Sequence, residues 1–160
     1  MIIVSDTTPF SNLLQIDELG LLSTLYQQII IPTTVFSELK ILEKRGFSIQ
    51  SGINAGWIII KSPQYYDVVN ELLTFIDPGE SEAIALAIEL QADYLLMDEK
   101  EGRQEARARA IPVIGTLGIL LEAKKRGLIP NVKTKMDALR NINYWISEEL
   151  YQQMLVLAGE

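Results

Sequence analysis

The sequence predicts an α/β fold with a mainly parallel sheet of about five short strands. Short β-branched runs recur along the chain, and helical stretches separate them, so strand and helix alternate. With 160 residues and neither an internal repeat nor a low-complexity linker, the chain reads as one domain over residues 1–160.

The elements follow in order. Ile2–Val4 is a short apolar run of the kind buried in a sheet. Thr8-Pro9 then has the look of an N-cap followed by proline at the first helical position, and Phe10, Leu13, Leu14 and Ile16 supply an apolar helix face. "ELGLLSTLY" continues as a second short helix. Ile29–Ile31 is the second strand, and Pro32 opens the helix "TTVFSELKILEKRG", which Gly46 ends. Its core side is Val35, Phe36, Leu39 and Leu42. Gly52 to Gly56 read as loop, "WIII" as the third strand, and Tyr66 to Phe75 as a helix. Asp77-Pro78-Gly79 is a turn that starts the long apolar helix "ESEAIALAIEL". "DYLLM" is the fourth strand, a charged helix spans Glu99 to Ala110, and "IPVI" is the fifth strand. Gly115-Thr116 starts another helix, and a helical tail over 132–160 reads as two more, with Trp145 and Ile146 between them.

Composition narrows the chemistry. The chain has neither histidine nor cysteine. That excludes disulfides, thiolate zinc sites, imidazole metal sites and histidine general acid–base catalysis. Hydrophobic residues make 48% and charged residues 22%, the balance of a soluble globular protein. No apolar run approaches the roughly 20 residues that cross a bilayer. The start "MIIVSD" has no basic region of a signal peptide, so a cytoplasmic location without membrane contact is expected. The net charge of −7 argues against a broad basic nucleic-acid face. Basic residues nevertheless cluster at Lys100, Arg103, Arg107 and Arg109, and again at Lys124, Lys125 and Arg126; each cluster reads equally well as a solvated helix face.

Two core strands run straight into acids: the first into Asp6, the fourth into Asp98 and Glu99. Sites in parallel sheets form beyond the carboxyl ends of the strands, so the two acids share a crevice if their strands are neighbours. Each also has a bland reading, as a capping acid before a helix. Glu38 lies between Phe36 and Leu39 on a helix, either lining the crevice or flanking it. Glu80 and Glu82 stand in a helical first turn, where the helix dipole alone favours acids. Four segments thus supply carboxylates in a chain without imidazole or thiol. Carboxylates gathered in a crevice repel one another unless a cation compensates them. Oxygen-only donors select a hard divalent ion, Mg²⁺ or Mn²⁺. Such ions serve phosphate-ester chemistry.

The stretches "SDTTPFSNLLQIDELGLL", "IPTTVFSEL", "DPGESEAIALAIELQADYLLMDEKEGR", "IPVIGTLGILLEAKKRGLI" and "YWISEELYQQMLVLAGE" resemble a PIN-like family of small prokaryotic proteins, related to toxin ribonucleases of type II toxin–antitoxin pairs. The resemblance covers essentially the whole chain and is most specific over Asp77 to Gly118. It implies a three-layer α/β/α fold and a divalent-metal-dependent endoribonuclease. The family's catalytic and metal-binding acids match Asp6, Glu38, Glu82 and Asp98, with Glu80 and Glu99 as accessory acids. Many PIN domains have Asp at the third position, so Glu80 competes with Glu82 for that role. On this reading Lys100, Arg103, Lys124, Lys125 and Arg126 hold the RNA backbone, and Thr7 and Ser11 orient carboxylates or water. A small antitoxin protein and a homodimer are the expected partners. Apolar residues at Phe10, Leu13, Tyr26, Leu150, Tyr151, Met154 and Leu155 exceed what a domain of this size readily buries, which also suggests pairing.

Two alternatives stand beside this. "IIVSDTT" resembles the first motif of haloacid-dehalogenase phosphatases, but Thr8 stands where that mechanism wants a proton-donating acid. The other is a catalytically inert PIN-like RNA-binding module.

Overall fold

A computed structural model describes residues 1–160. Five strands form one parallel sheet: β1 (Ile3–Ser5), β2 (Ile29–Ile31), β3 (Ile58–Ile60), β4 (Tyr94–Leu96) and β5 (Val113–Ile114). Their order is β3-β2-β1-β4-β5, and each neighbouring pair is parallel. The order reverses between β1 and β4, which pair directly, with Ser5 opposite Leu96. This is the switch point at which a crevice opens beyond the strand ends.

The helices are α1 (Thr7–Gln15), α2 (Gly20–Tyr26), α3 (Thr33–Ile41), α4 (Gln50–Asn54), α5 (Tyr66–Leu72), α6 (Pro78–Glu89), α7 (Lys100–Ala108), α8 (Thr116–Lys125), α9 (Lys133–Asn141) and α10 (Glu148–Ala158). They cover both faces of the sheet, because strand residues alternate between two separate cores. Ile3, Ile29, Ile31 and Leu96 join one core with α1, α2, α3, α8, α9 and α10. Val4, Leu95 and Met97 join the other with α5, α6 and α7. The three-layer α/β/α expectation therefore holds, and the sheet is parallel throughout rather than mainly so.

Several boundaries differ from the sequence reading. Helix α1 begins at Thr7, so Asp6 rather than Thr8 takes the cap position, and Pro9 sits within the first turn. The stretch Gly52 to Gly56, read as loop, overlaps the short helix α4; Gly52 packs so tightly under Trp57 and Ile58 that an added Cβ would lie 2.5 Å from the Ile58 side chain. The long helix ending at Gly46 is α3 followed by a 3₁₀ turn over Leu42–Arg45. Gly46 ends it as expected, in the left-handed conformation at φ 86°.

The apolar surplus expected from sequence is mostly absent from the surface. Phe10 and Leu13 are fully buried, and Tyr26, Tyr151 and Met154 nearly so. The two C-terminal helices supply the reason: they lie on the sheet's first core, and α10 packs on α8. The apolar residues that do remain exposed nearby are Trp145, Leu150, Val156 and Leu157.

Candidate functional site

Asp6 follows β1 directly, and its amide donates to Leu96 O at 2.9 Å, continuing the β1–β4 ladder. Asp98 follows β4 one residue later, after Met97. The two acids therefore end adjacent strands at the switch point. Asp6 is buried to 3% exposure and closes no capping hydrogen bond, although it stands at the cap of α1. Capping thus fails to explain a buried carboxylate. Burial pushes its pKa well above the ordinary range; the Thr7 amide opposes this, while Glu80, Asp77 and Glu38 push it further up by repulsion.

Glu38 comes from α3 and accepts a hydrogen bond from the Thr7 hydroxyl. Burial raises its pKa despite that bond, and repulsion from Asp77 and Glu82 adds to the rise. Gly79 lies against it: a Cβ there would come within 2.9 Å of Glu38 Oε1. A side chain at position 79 would fill the space that this carboxylate occupies.

Helix α6 supplies the next two acids, and the structure separates their tasks. Glu80 belongs to a capping box: its amide donates to Asp77 Oδ1 at 2.8 Å, and the Asp77 amide donates to Glu80 Oε2 at 3.1 Å. Its pKa is pushed up to about 7, chiefly by burial, against the Asp77 amide and with repulsion from Asp77, Glu99 and Glu101. Glu82 is also buried, but its only hydrogen bond is a long one from the Thr34 amide at 3.4 Å. Both acids are buried, although residues two apart on a helix point to different sides. The packing of α6 against both α3 and α7 accounts for the second.

Asp98 is held by four donors. The Thr116 amide and hydroxyl donate to it at 2.7 and 2.6 Å, the Tyr144 hydroxyl at 3.2 Å and the Asn12 amide group at 3.3 Å. It therefore sits at the N-terminus of α8, a favourable place for an anion, rather than capping α7. Burial still raises its pKa, with the Thr116 and Tyr144 bonds and the nearby Arg103 charge pulling it back. Glu99 stands at the cap of α7 without a capping bond, and burial, Asp98 and Glu101 raise its pKa.

The supporting residues divide. Thr7 touches the site through Glu38. The Ser11 hydroxyl instead accepts from Gln15 Nε2 at 2.9 Å, and its neighbour Asn12 reaches Asp98. Arg103 lies beside Asp98 and Gly115. Lys100 is exposed at the start of α7. Lys124, Lys125 and Arg126 lie at the far end of α8, about 15 Å from the Asp98 end at 1.5 Å per residue. Lys124 donates to Pro130 O, and Arg126 pairs with Glu122 at 2.7 Å, so both are engaged within the fold. A cleft of about 760 Å³ beside α8 is lined by residues from both ends, Asp98 and Arg103 to Lys125 and Arg126. Asp77, Asn12, Thr116 and Tyr144 are the site residues that sequence reading missed. The rule that sites lie beyond strand ends pointed to Thr116, which follows β5; nothing local pointed to Tyr144.

No three of the carboxylates converge closely enough to ligate one ion among themselves. The donor chemistry nonetheless fits a hard divalent cation. Every donor is oxygen; Asp6 and Glu80 are buried and Glu38 is half-buried, with both glutamates repelling Asp6 and none of the three paired to a basic side chain. A Mg²⁺ ion keeps several waters and takes one or two carboxylates directly, so a set this spread out can serve it.

A family model described as a PIN domain matches residues 2–160. Among solved structures, a PilT N-terminus domain protein from the hyperthermophilic archaeon Sulfolobus solfataricus is similar at 26% identity and a TM-score of 0.53, covering 77% of this chain and 93% of its own. No curated protein matches the chain.

Proposed function

Because the chain belongs to the PIN domain family, whose fold is of nuclease type and commonly uses divalent metals, we propose that it is a metal-dependent endoribonuclease with Asp6, Glu38, Glu82 and Asp98 as its catalytic acids. The observation that carries this reading is a set of buried and half-buried carboxylates gathered around the β1–β4 switch point, raised in pKa by burial and mutual repulsion. Asp6 and Asp98 would hold Mg²⁺ or Mn²⁺, with Glu38 and Glu82 acting through the waters it keeps. A divalent ion there supplies Lewis acidity to water and neutralises charge on phosphodiester oxygens.

The chain's own residues do the positioning. Thr116, Tyr144 and Asn12 fix both oxygens of Asp98. Thr7 fixes Glu38, and Gly79 leaves room for it. Glu82 is the better third ligand than Glu80, because Glu80 already accepts the Asp77 amide in a capping box. Arg103, beside Asp98, would meet a phosphate, and Lys125 would do so at the other end of the cleft.

The resemblance to toxin ribonucleases extends the proposal to the toxin of a type II pair, neutralised by a small antitoxin. A small gene directly adjacent to this one, encoding such a partner, is the expected finding. We also retain a homodimer in this reading, on the exposed Leu150, Val156 and Leu157, since Phe10, Leu13, Tyr26, Tyr151 and Met154 are buried within the fold. Light scattering at micromolar concentration should return twice the 18.0 kDa chain mass, and a monomer would remove it.

One observation favours a second reading, an inert RNA-binding module: the carboxylates do not close on a single ion. Cleavage of single-stranded RNA with and without EDTA separates the two. The nuclease reading expects products that EDTA abolishes and Mn²⁺ restores. RNA binding with no cleavage under either condition would favour the inert module.

A further inference from the structure

Trp145 is 82% exposed in the loop between α9 and α10. Its surroundings are firmly held. On one side the Tyr144 hydroxyl donates to Asp98 Oδ1 at 3.2 Å, and the Tyr144 amide donates to Leu139 O at 3.0 Å. On the other side Ile146 is buried, and Arg140 donates to its carbonyl at 3.2 Å while lying 4.0 Å over the Tyr151 ring. Ser147 then caps α10. Asn143 turns the chain before this pair in the left-handed region, at φ 67°. With both neighbours anchored inward, the indole is turned out by the fold itself.

Trp145 lines a cavity of about 410 Å³ with Asp98, Glu99, Thr8, Asn12 and Asn143, and with Ile142 and Tyr144 of the same loop. So a bare aromatic surface and a carboxylate of the candidate catalytic set share one hollow. The lining decides what suits it. An apolar face of a protein partner would desolvate acids and amides there without pairing them. An unpaired nucleobase offers a flat π face to the indole and polar edges to the amides and hydroxyl, and its phosphate would lie at the Asp98 end.

We propose that Trp145 is a stacking platform for an unpaired nucleobase of the strand that enters the acidic site. The inference rests on the nuclease reading for the placement of the adjoining phosphate. It goes further in assigning a base contact to Trp145 and in expecting weak base preference, because every base presents a π face.

The probe is a short oligothymidine strand, labelled for anisotropy, in Ca²⁺. Stacking does not need a 2′-hydroxyl, so this strand reports on the platform apart from ribonuclease activity. Wild type should bind it with quenching of indole fluorescence, over a constant background from Trp57, which packs on Phe10. Trp145→Ala should weaken binding about ten-fold or more, and Trp145→Phe should restore most of the affinity without the quench. With single-stranded RNA the Ala variant should raise KM more than it lowers kcat, and duplex RNA should show neither quench nor dependence on Trp145. Melting temperatures should be unchanged, since the side chain is exposed. Wild-type affinity in Trp145→Ala overturns the proposal, and so does a changed oligomeric state with binding unaltered, which would make the indole a contact between copies. A wild type that cleaves RNA while the Ala variant binds normally sinks the platform alone. Quenching through Trp145 without metal-dependent cleavage sinks the nuclease reading alone. A wild type that binds no single strand contradicts both.

Discussion

Replacing Thr116 with valine isolates what the second layer of the site contributes. The side chain is fully buried, and its hydroxyl donates to Asp98 Oδ2 at 2.6 Å while accepting from Asn12 at 3.3 Å. Valine keeps the shape and removes only the hydroxyl; the backbone amide bond to Oδ1 remains. A hydrogen bond to a charged group contributes about 1.5–3 kcal/mol. At about 2–4 °C per kcal/mol for a chain of this size, Thr116→Val should melt about 3–12 °C below wild type in EDTA at neutral pH. The lost bond also favoured the charged form of Asp98, so its pKa should climb further and Mn²⁺ should bind more weakly. Thr116→Ser restores the hydroxyl and should recover most of both losses. Thermal denaturation followed by circular dichroism, paired with calorimetric Mn²⁺ titration, reads the two effects. A valine variant that melts within about 1 °C of wild type and binds Mn²⁺ equally well would show that the hydroxyl does not hold Asp98.

Asp6→Asn removes one charge from a group of mutually repelling carboxylates, so the metal-free protein should melt higher than wild type while cleavage is lost; a lower melting temperature with activity kept would reject the assignment. Gly79→Ala should lower activity by displacing Glu38, since the new Cβ falls 2.9 Å from its Oε1, although alanine favours the helix by about 1 kcal/mol; unchanged turnover would mean that Glu38 is dispensable. Asp6, Glu38, Glu80 and Asp98 all have pKa values raised by folding, so the folded state binds their protons more tightly than the unfolded state does. Their stabilising contribution is therefore complete at low pH and lost as pH rises through the folded values, for Glu80 between 4.5 and about 7. Melting in EDTA should decline across that interval and recover on adding Mn²⁺; a melting temperature that rises with pH there would reverse the sign of the argument.

Much of the fold was written in local pattern. The isoleucine runs at Ile29–Ile31 and Ile58–Ile60 have no competing helical reading once Pro32 and Gly56 bound them. Asp77-Pro78 at the start of α6 carries its own start signal. The boundary at Asp6 was misread because Thr8-Pro9 imitates that signal, whereas the ladder bond from the Asp6 amide to Leu96 O fixes where β1 ends. Within the site, the acids after the strands were legible because topology alone places them. What Glu80 and Glu82 each do was not, because it depends on which backbone amides α6 meets. Asn12 and Tyr144 reach Asp98 from 86 and 46 residues away, and a contact of that range leaves no local mark. The buried fate of Phe10, Tyr151 and Met154 was missed for the same reason, since it depends on the α9 and α10 helices closing over the sheet.

The most direct measurement of the central claim is mass spectrometry of the products from a single-stranded RNA oligonucleotide incubated with Mn²⁺ and wild type, Asp6→Asn or Asp98→Asn. Attack by water on the phosphodiester, in a chain without histidine, predicts Mn²⁺-dependent internal cleavage that leaves no 2′,3′-cyclic phosphate and disappears in both variants. Full Mn²⁺-dependent cleavage by either variant, or cyclic-phosphate products that form equally well in EDTA, would contradict it.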